Sequence, residues 1–129
     1  MKKIFVYIFL VLSFSSGGFT KETTFKKELF DKAQAEGKVV IVSSWIKYCS
    51  SCASQMKVLN NAKNDGKLFD IKFDNIEYFS FDVTNKDIAN LLNVKFQTTL
   101  LIFKNNNEIY RSLGETTEDL IYKALKKAI

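Results

Sequence analysis

The sequence predicts an α/β domain: a central mixed sheet of about four strands flanked by helices on both faces. Three observations predict it. Short β-branched or aromatic runs alternate with stretches whose apolar residues recur every three or four positions, which is the signature of strands interleaved with covering helices. With 129 residues the chain has room for one hydrophobic core. With 47% apolar and 26% charged residues it can fill that core.

Taken in order, Lys2 and Lys3 precede the uncharged run from Ile4 to Leu12, and the small residues Ser15 to Gly18 follow. This is the pattern of a secretory leader, and the apolar run is shorter than the ~20 residues a spanning helix needs. Residues 1–18 are therefore expected to be a signal peptide, cleaved after Gly18 rather than kept as an anchor, and residues 19–129 to form the domain. Phe25, Leu29, Phe30 and Ala33 predict a first amphipathic helix, stopped by Gly37. Val39 to Val42 predicts a strand buried on both faces. Cys49 to about Asn64, with Cys52, Met56 and Leu59 on one face, predicts a second helix, closed by a turn at Asn64 to Gly66. Residues 67–75 carry no clear pattern.

Ile76 to Phe81 predicts a strand, and Asn85 to Leu92 a short helix with Ile88, Leu91 and Leu92 inward. Thr99 to Phe103 predicts another strand, turning at Asn105 to Asn107 into a last strand at Glu108 to Arg111. Thr116 or Thr117 is expected to cap a final helix through Leu120, Ile121, Ala124 and Leu125. The order implies a mainly parallel sheet with an antiparallel edge.

Composition excludes several classes of function. The chain has no His, so chemistry that needs an imidazole nucleophile partner or metal ligand is out. Without Lys2 and Lys3 the 19 basic residues fall to 17 against 14 acidic ones. Only Arg111 is an arginine, and the lysines are dispersed, so no basic stripe suits nucleic acid.

The two cysteines, Cys49 and Cys52, lie directly after a predicted strand and at the start of a predicted helix. Residues three apart on a helix share a face, so the sulfurs can bond. First-turn N–H groups and the positive helix end stabilise a thiolate at Cys49, with Lys47 as a further positive charge. Cys49 is then the attacking sulfur, and Cys52, one turn deeper, the resolving one. Three other readings remain open: a static disulfide, half of a Cys₄ metal or cluster site completed by a dimer, and an idle pair on a binding module.

Residues 22–128 resemble a thioredoxin-like domain, especially the secreted or periplasmic kind that includes the C-terminal domain of transmembrane disulfide reductases. Trp45-Ile46-Lys47-Tyr48-Cys49-Ser50-Ser51-Cys52 is similar to the family's Trp-x-x-Trp-Cys-x-x-Cys, with Tyr48 in place of the second Trp. Glu36 to Val40, Phe81 to Val83, Asn93 to Asn105 and Gly114 extend the resemblance along the chain. It implies a substrate groove at Trp45, Tyr48, Gln97 and Thr98.

Two departures stand out. Thr98 occupies the family's cis-proline position, so the Gln97–Thr98 bond is expected to be strained or differently arranged. A proline restored there is expected to raise reductase turnover. Ser43 replaces a buried Asp that, in the family, helps deprotonate the resolving cysteine.

The expected function is a periplasmic or secreted thiol–disulfide oxidoreductase. The resemblance to reductase-type domains implies a reductase or electron relay, and the absence of a His between the cysteines argues against a strong oxidant. The partners would be thiols and disulfides of exported proteins, with a membrane or periplasmic electron donor. The chain is expected to be a monomer, to bind no nucleic acid, and to need neither cofactor nor metal. The alternatives are a redox-inactive binding module for exported proteins and a dimer-bridging metal or cluster site.

Overall fold

The computed structural model describes residues 22–62 and 75–128. The leader at 1–18, the turn at 64–66 and the stretch at 67–74 lie outside the described residues. The elements are β1 (Thr23–Thr24), α1 (Lys27–Ala35), β2 (Val39–Trp45), α2 (Ser50–Ala62), β3 (Ile76–Asp82), α3 (Lys86–Leu91), β4 (Thr99–Lys104), β5 (Asn107–Leu113) and α4 (Glu118–Lys127).

Among the described residues one five-stranded sheet has the order β1-β3-β2-β4-β5. The expected α/β architecture is present, with β1 as an added strand of two residues. The sheet is evenly mixed rather than mainly parallel. β1, β3 and β2 run parallel, while β2–β4 and β4–β5 are antiparallel.

Side-chain alternation along β2 sorts the core into two layers. Val39 and Ile41 join Leu59 of α2 and Ile121, Ala124 and Leu125 of α4. Val40 and Val42 join Phe30 and Ala33 of α1 and Ala89 of α3. Both layers are aliphatic at β2, which is why this strand reads as a continuous apolar run.

Several sequence expectations shift locally. Phe25 is buried but precedes α1, and its N–H donates to the Ser80 carbonyl; Leu29, on α1, faces solvent. The cause is that β1 runs directly into α1, so Phe25 packs as a strand-end residue. Gly37 does end α1, at φ 73°. Of the residues expected inward on α3, Ile88 and the C-cap Leu92 do pack on the core, with Ala89 beside them, but Leu91 is exposed. Leu91 lies off the face that Ile88, Ala89 and Leu92 turn inward; the helix's N-cap is Asn85, whose side chain accepts from the Ile88 N–H. Thr117 occupies the N-cap position of α4, but its hydroxyl donates to the Glu115 carboxylate instead of capping the helix, and Leu120 is exposed.

The hairpin turn is the two residues Asn105 and Asn106, both left-handed at φ 52° and 64°. Asparagine tolerates that region and the turn matches the twist of its strands.

Candidate active site

The chain direction of the strands brings the site together. Parallel β2 and β3 end side by side at Trp45 and Asp82. Antiparallel β4 begins at that same edge, and β5 ends there, with Thr99 opposite Leu113. The loops at 46–49, 96–98 and 114–117 therefore converge where α2 starts.

At this edge Cys49 and Cys52 are joined as a disulfide, with Cα atoms 5.3 Å apart. Cys49 is half-buried beside the fully exposed Tyr48, whereas Cys52 is 3% exposed. The Cys52 N–H donates to Cys49 Sγ at 3.2 Å, as the first turn of a helix would direct it. Ser51 Oγ lies 3.4 Å from Cys49 Sγ. Asp82, at the end of β3, has its carboxyl held below the usual carboxylate range by the hydroxyl and N–H of Thr84 donating to it, with Lys47 contributing least.

Thr98 differs most from expectation. The described residues contain no cis peptide bond, so the Gln97–Thr98 bond is trans, and Thr98 sits in the left-handed region at φ 59°. For a β-branched residue this costs roughly 1–2 kcal/mol, and the surroundings hold it on both sides. Its N–H donates to the Ser44 carbonyl at 2.9 Å. Its own carbonyl accepts from the Gly114 N–H at 2.8 Å and from Gln55 Nε2 at 3.3 Å. Proline can meet neither the φ nor the N–H bond, so the expected gain from a proline at 98 is overturned.

Held this way, the Thr98 hydroxyl points at the sulfurs. It is 3.1 Å from Cys52 Sγ, 3.6 Å from Cys49 Sγ and 2.9 Å from Ser51 Oγ. Ser44 braces the preceding loop: its hydroxyl donates to the Phe96 carbonyl and accepts from the Thr99 N–H. Further along, Arg111 of β5 donates to the Leu92 and Asn93 carbonyls, tying the end of α3 to the sheet.

Ser43 is fully buried and hydrogen-bonded to the Tyr78 hydroxyl at 2.6 Å. Burial pushes the Tyr78 phenol well above its ordinary range, partly offset by the Ser43 bond. A neutral hydroxyl pair thus stands at the position where the resemblance implied a carboxylate.

Trp45, Ile46, Tyr48, Cys49, Cys52 and Met56 line an open depression of about 740 Å³. Gln97 is exposed beside Phe96, which is 58% exposed. Trp45, Tyr48 and Thr98 thus gather around the pair, Thr98 from below as a buried residue. Residues not singled out from sequence are Ser51, Ser44 and Gln55. Two consecutive serines inside an apolar strand, and a glutamine one turn after Cys52, were the available signals.

Comparison with known proteins agrees with this geometry. The thioredoxin family model matches residues 19–127. The chain is 25% identical over 97 residues to a thioredoxin H-type of Fagopyrum esculentum, covering 74% of this chain and 78% of that protein. Among solved structures, Trxlp from Edwardsiella tarda superposes with a TM-score of 0.70 at 24% identity, over 79% of this chain and 95% of that one. The thioredoxin of Malassezia sympodialis gives 0.68 at 18% identity, over 84% and 90%. The chain belongs to the thioredoxin family, and with its Cys49–Cys52 pair it is a thiol–disulfide oxidoreductase acting on protein thiols and disulfides.

Proposed function

We propose that this protein is an exported reductase or electron relay for the cysteines of other exported proteins, with Cys49 as the attacking sulfur and Cys52 as the resolving one. The observation that carries the assignment is the difference in access between the two sulfurs. Cys49 lies half-buried beside exposed Tyr48, and Cys52 is sealed beneath it. A substrate sulfur can reach only the first.

The donors to Cys49 are neutral, the Cys52 N–H and the Ser51 and Thr98 hydroxyls. Such donors favour the thiolate without the over-stabilisation that makes a strong oxidant. Exposed Tyr48, beside Cys49, and exposed Phe96, on the loop that carries Thr98, offer apolar contact to an extended peptide around a substrate cysteine. Export rests on the Lys2-Lys3 and Ile4–Leu12 pattern, and the family match begins at residue 19, where the leader is expected to end. In an oxidising compartment the pair then needs a membrane or periplasmic donor to return it to the dithiol.

Trapping tests the reading. Cys52→Ser is expected to accumulate mixed disulfides through Cys49 with exported proteins, and Cys49→Ser to accumulate few. The reverse pattern exchanges the roles, and adducts confined to cytoplasmic proteins overturn export. The reduction potential of the pair against glutathione fixes the direction: a value near that of strong oxidants overturns the reductase half.

A further inference from the structure

Cys52 poses the site's main chemical problem. To attack Cys49 its sulfur must give up a proton, yet it is 3% exposed, and burial opposes the thiolate. Among the described residues the polar side chain touching Cys52 Sγ is not a carboxylate but Thr98, at 3.1 Å. Tyr78 is already engaged with Ser43.

Thr98 continues outward. Its hydroxyl lies 2.9 Å from that of Ser51, which is exposed and 3.4 Å from Cys49 Sγ. Sulfur, hydroxyl, hydroxyl and sulfur thus form one unbroken chain from the buried cysteine to the accessible one. Hydroxyls donate and accept with equal ease, so the chain can point either way. The left-handed backbone of Thr98 is pinned at both its N–H and its carbonyl, which leaves the side chain to serve the sulfurs.

We propose that the Thr98 and Ser51 hydroxyls are the proton path of the resolving step. The inference rests on the proposed roles of Cys49 and Cys52. Before attack, Ser51 donates to Cys49 and Thr98 donates to Ser51, which holds the Cys49 thiolate ready. In the mixed disulfide Cys49 Sγ is bonded to a substrate sulfur and has no further use for a donor. Cys52 Sγ then attacks Cys49 Sγ; the Cys49–Cys52 bond forms, and the substrate sulfur leaves with the electron pair of the broken bond. The Cys52 proton passes to Thr98 Oγ1 as Thr98 hands its own to Ser51 and Ser51 hands its own to the departing thiolate. Both hydroxyls end neutral. Over the full cycle two protein thiols become one disulfide, and the substrate disulfide becomes two thiols.

Rapid-quench reaction of the reduced full-length protein with oxidised glutathione, whose leaving alkyl thiol takes up a proton at neutral pH, tests this directly. The first glutathione released, with formation of the Cys49 mixed disulfide, reports attack by Cys49, and the second reports resolution by Cys52. Thr98→Val keeps the β-branch and removes the hydroxyl. It is expected to slow the second phase about tenfold or more, the size of a lost hydrogen bond to a charged group, and to move its pH midpoint upward. The first phase, in which Thr98 supports Cys49 at 3.6 Å and through Ser51, should slow less than the second. Thr98→Ser should recover most of the second phase, and Ser51→Ala, at an exposed position, should slow it without loss of fold. A second phase unchanged in Thr98→Val and Ser51→Ala, or one slowed equally in Thr98→Ser and Thr98→Val, overturns the proton path alone. Absence of the first phase in the unsubstituted protein overturns the assignment of Cys49 on which it rests.

Discussion

Beneath α1 and α3 the sheet is closed by phenylalanines, whereas beneath α2 and α4 buried polar groups are set among aliphatic side chains. On the first face Phe25 meets Phe30 at 5.2 Å and Phe79 edge-on at 6.0 Å, and Phe30 meets Phe103 at 5.0 Å. None of these phenylalanines lines the depression at Cys49 and Cys52. Toward α2 the buried groups include Cys52, Gln55, Thr98 and the Ser43–Tyr78 pair. One layer supplies apolar burial and edge-to-face contacts; the other gives up some apolar packing to hold a polar network at the helix start. Stability and chemistry are thereby separated across a single sheet.

The separation can be broken in order of effect. Cys49→Ser removes the nucleophile and should lower insulin-disulfide turnover more than about a thousandfold, with the fold intact by circular dichroism. Phe79→Ala empties the middle of the aromatic layer and should cost about 3–5 kcal/mol in urea unfolding. Its Cys49 alkylation rate should stay at the unsubstituted value wherever the protein is still folded; a changed rate would show that the two faces are coupled.

Thr98→Pro should lose about 3 kcal/mol or more together with activity, because the N–H bond to Ser44 and the left-handed backbone are both forbidden to it. Stability and turnover measured side by side would show whether the two fall together, as they should only on the α2 face. The smallest effect belongs to Tyr78→Phe, which leaves Ser43 without its partner and should cost about 1–3 kcal/mol. It should also alter the alkaline limb. The Tyr78 phenol is raised in the fold, so the unfolded chain releases its proton first, near pH ~10. Stability should be fully present below that pH and fall as pH rises toward the folded value. Tyr78→Phe should flatten this decline in a pH series of unfolding midpoints.

Much of the architecture was legible because it depends on local periodicity. β2 and β3 extend one or more residues past their predicted ends, and the Asn105-Asn106 turn falls within its predicted stretch. β1 was not legible, since two threonines carry no periodic signal and form a strand only by pairing with Phe79 and Ser80. Leu91 and Leu120 were misplaced because an apolar residue at helical spacing says nothing about how far the neighbouring sheet extends. At the site, Cys49 and Cys52 could be read from spacing, and Trp45 and Tyr48 from their nearness to the pair. Ser51 could not be distinguished from a surface serine.

The chain's own order of residues determined the alternation of strands and helices, the cysteine pair at a helix start, and the replacement of a proline and an acid by Thr98 and Ser43. Each of these follows from local preference or from residue type alone. Only the tertiary structure decided how Thr98 would sit and what its hydroxyl would touch, because its contact with Cys52 spans 46 residues. That contact exists through the antiparallel register of β4 against β2 and through the bonds from Ser44, Gln55 and Gly114 that hold an unfavourable backbone in place.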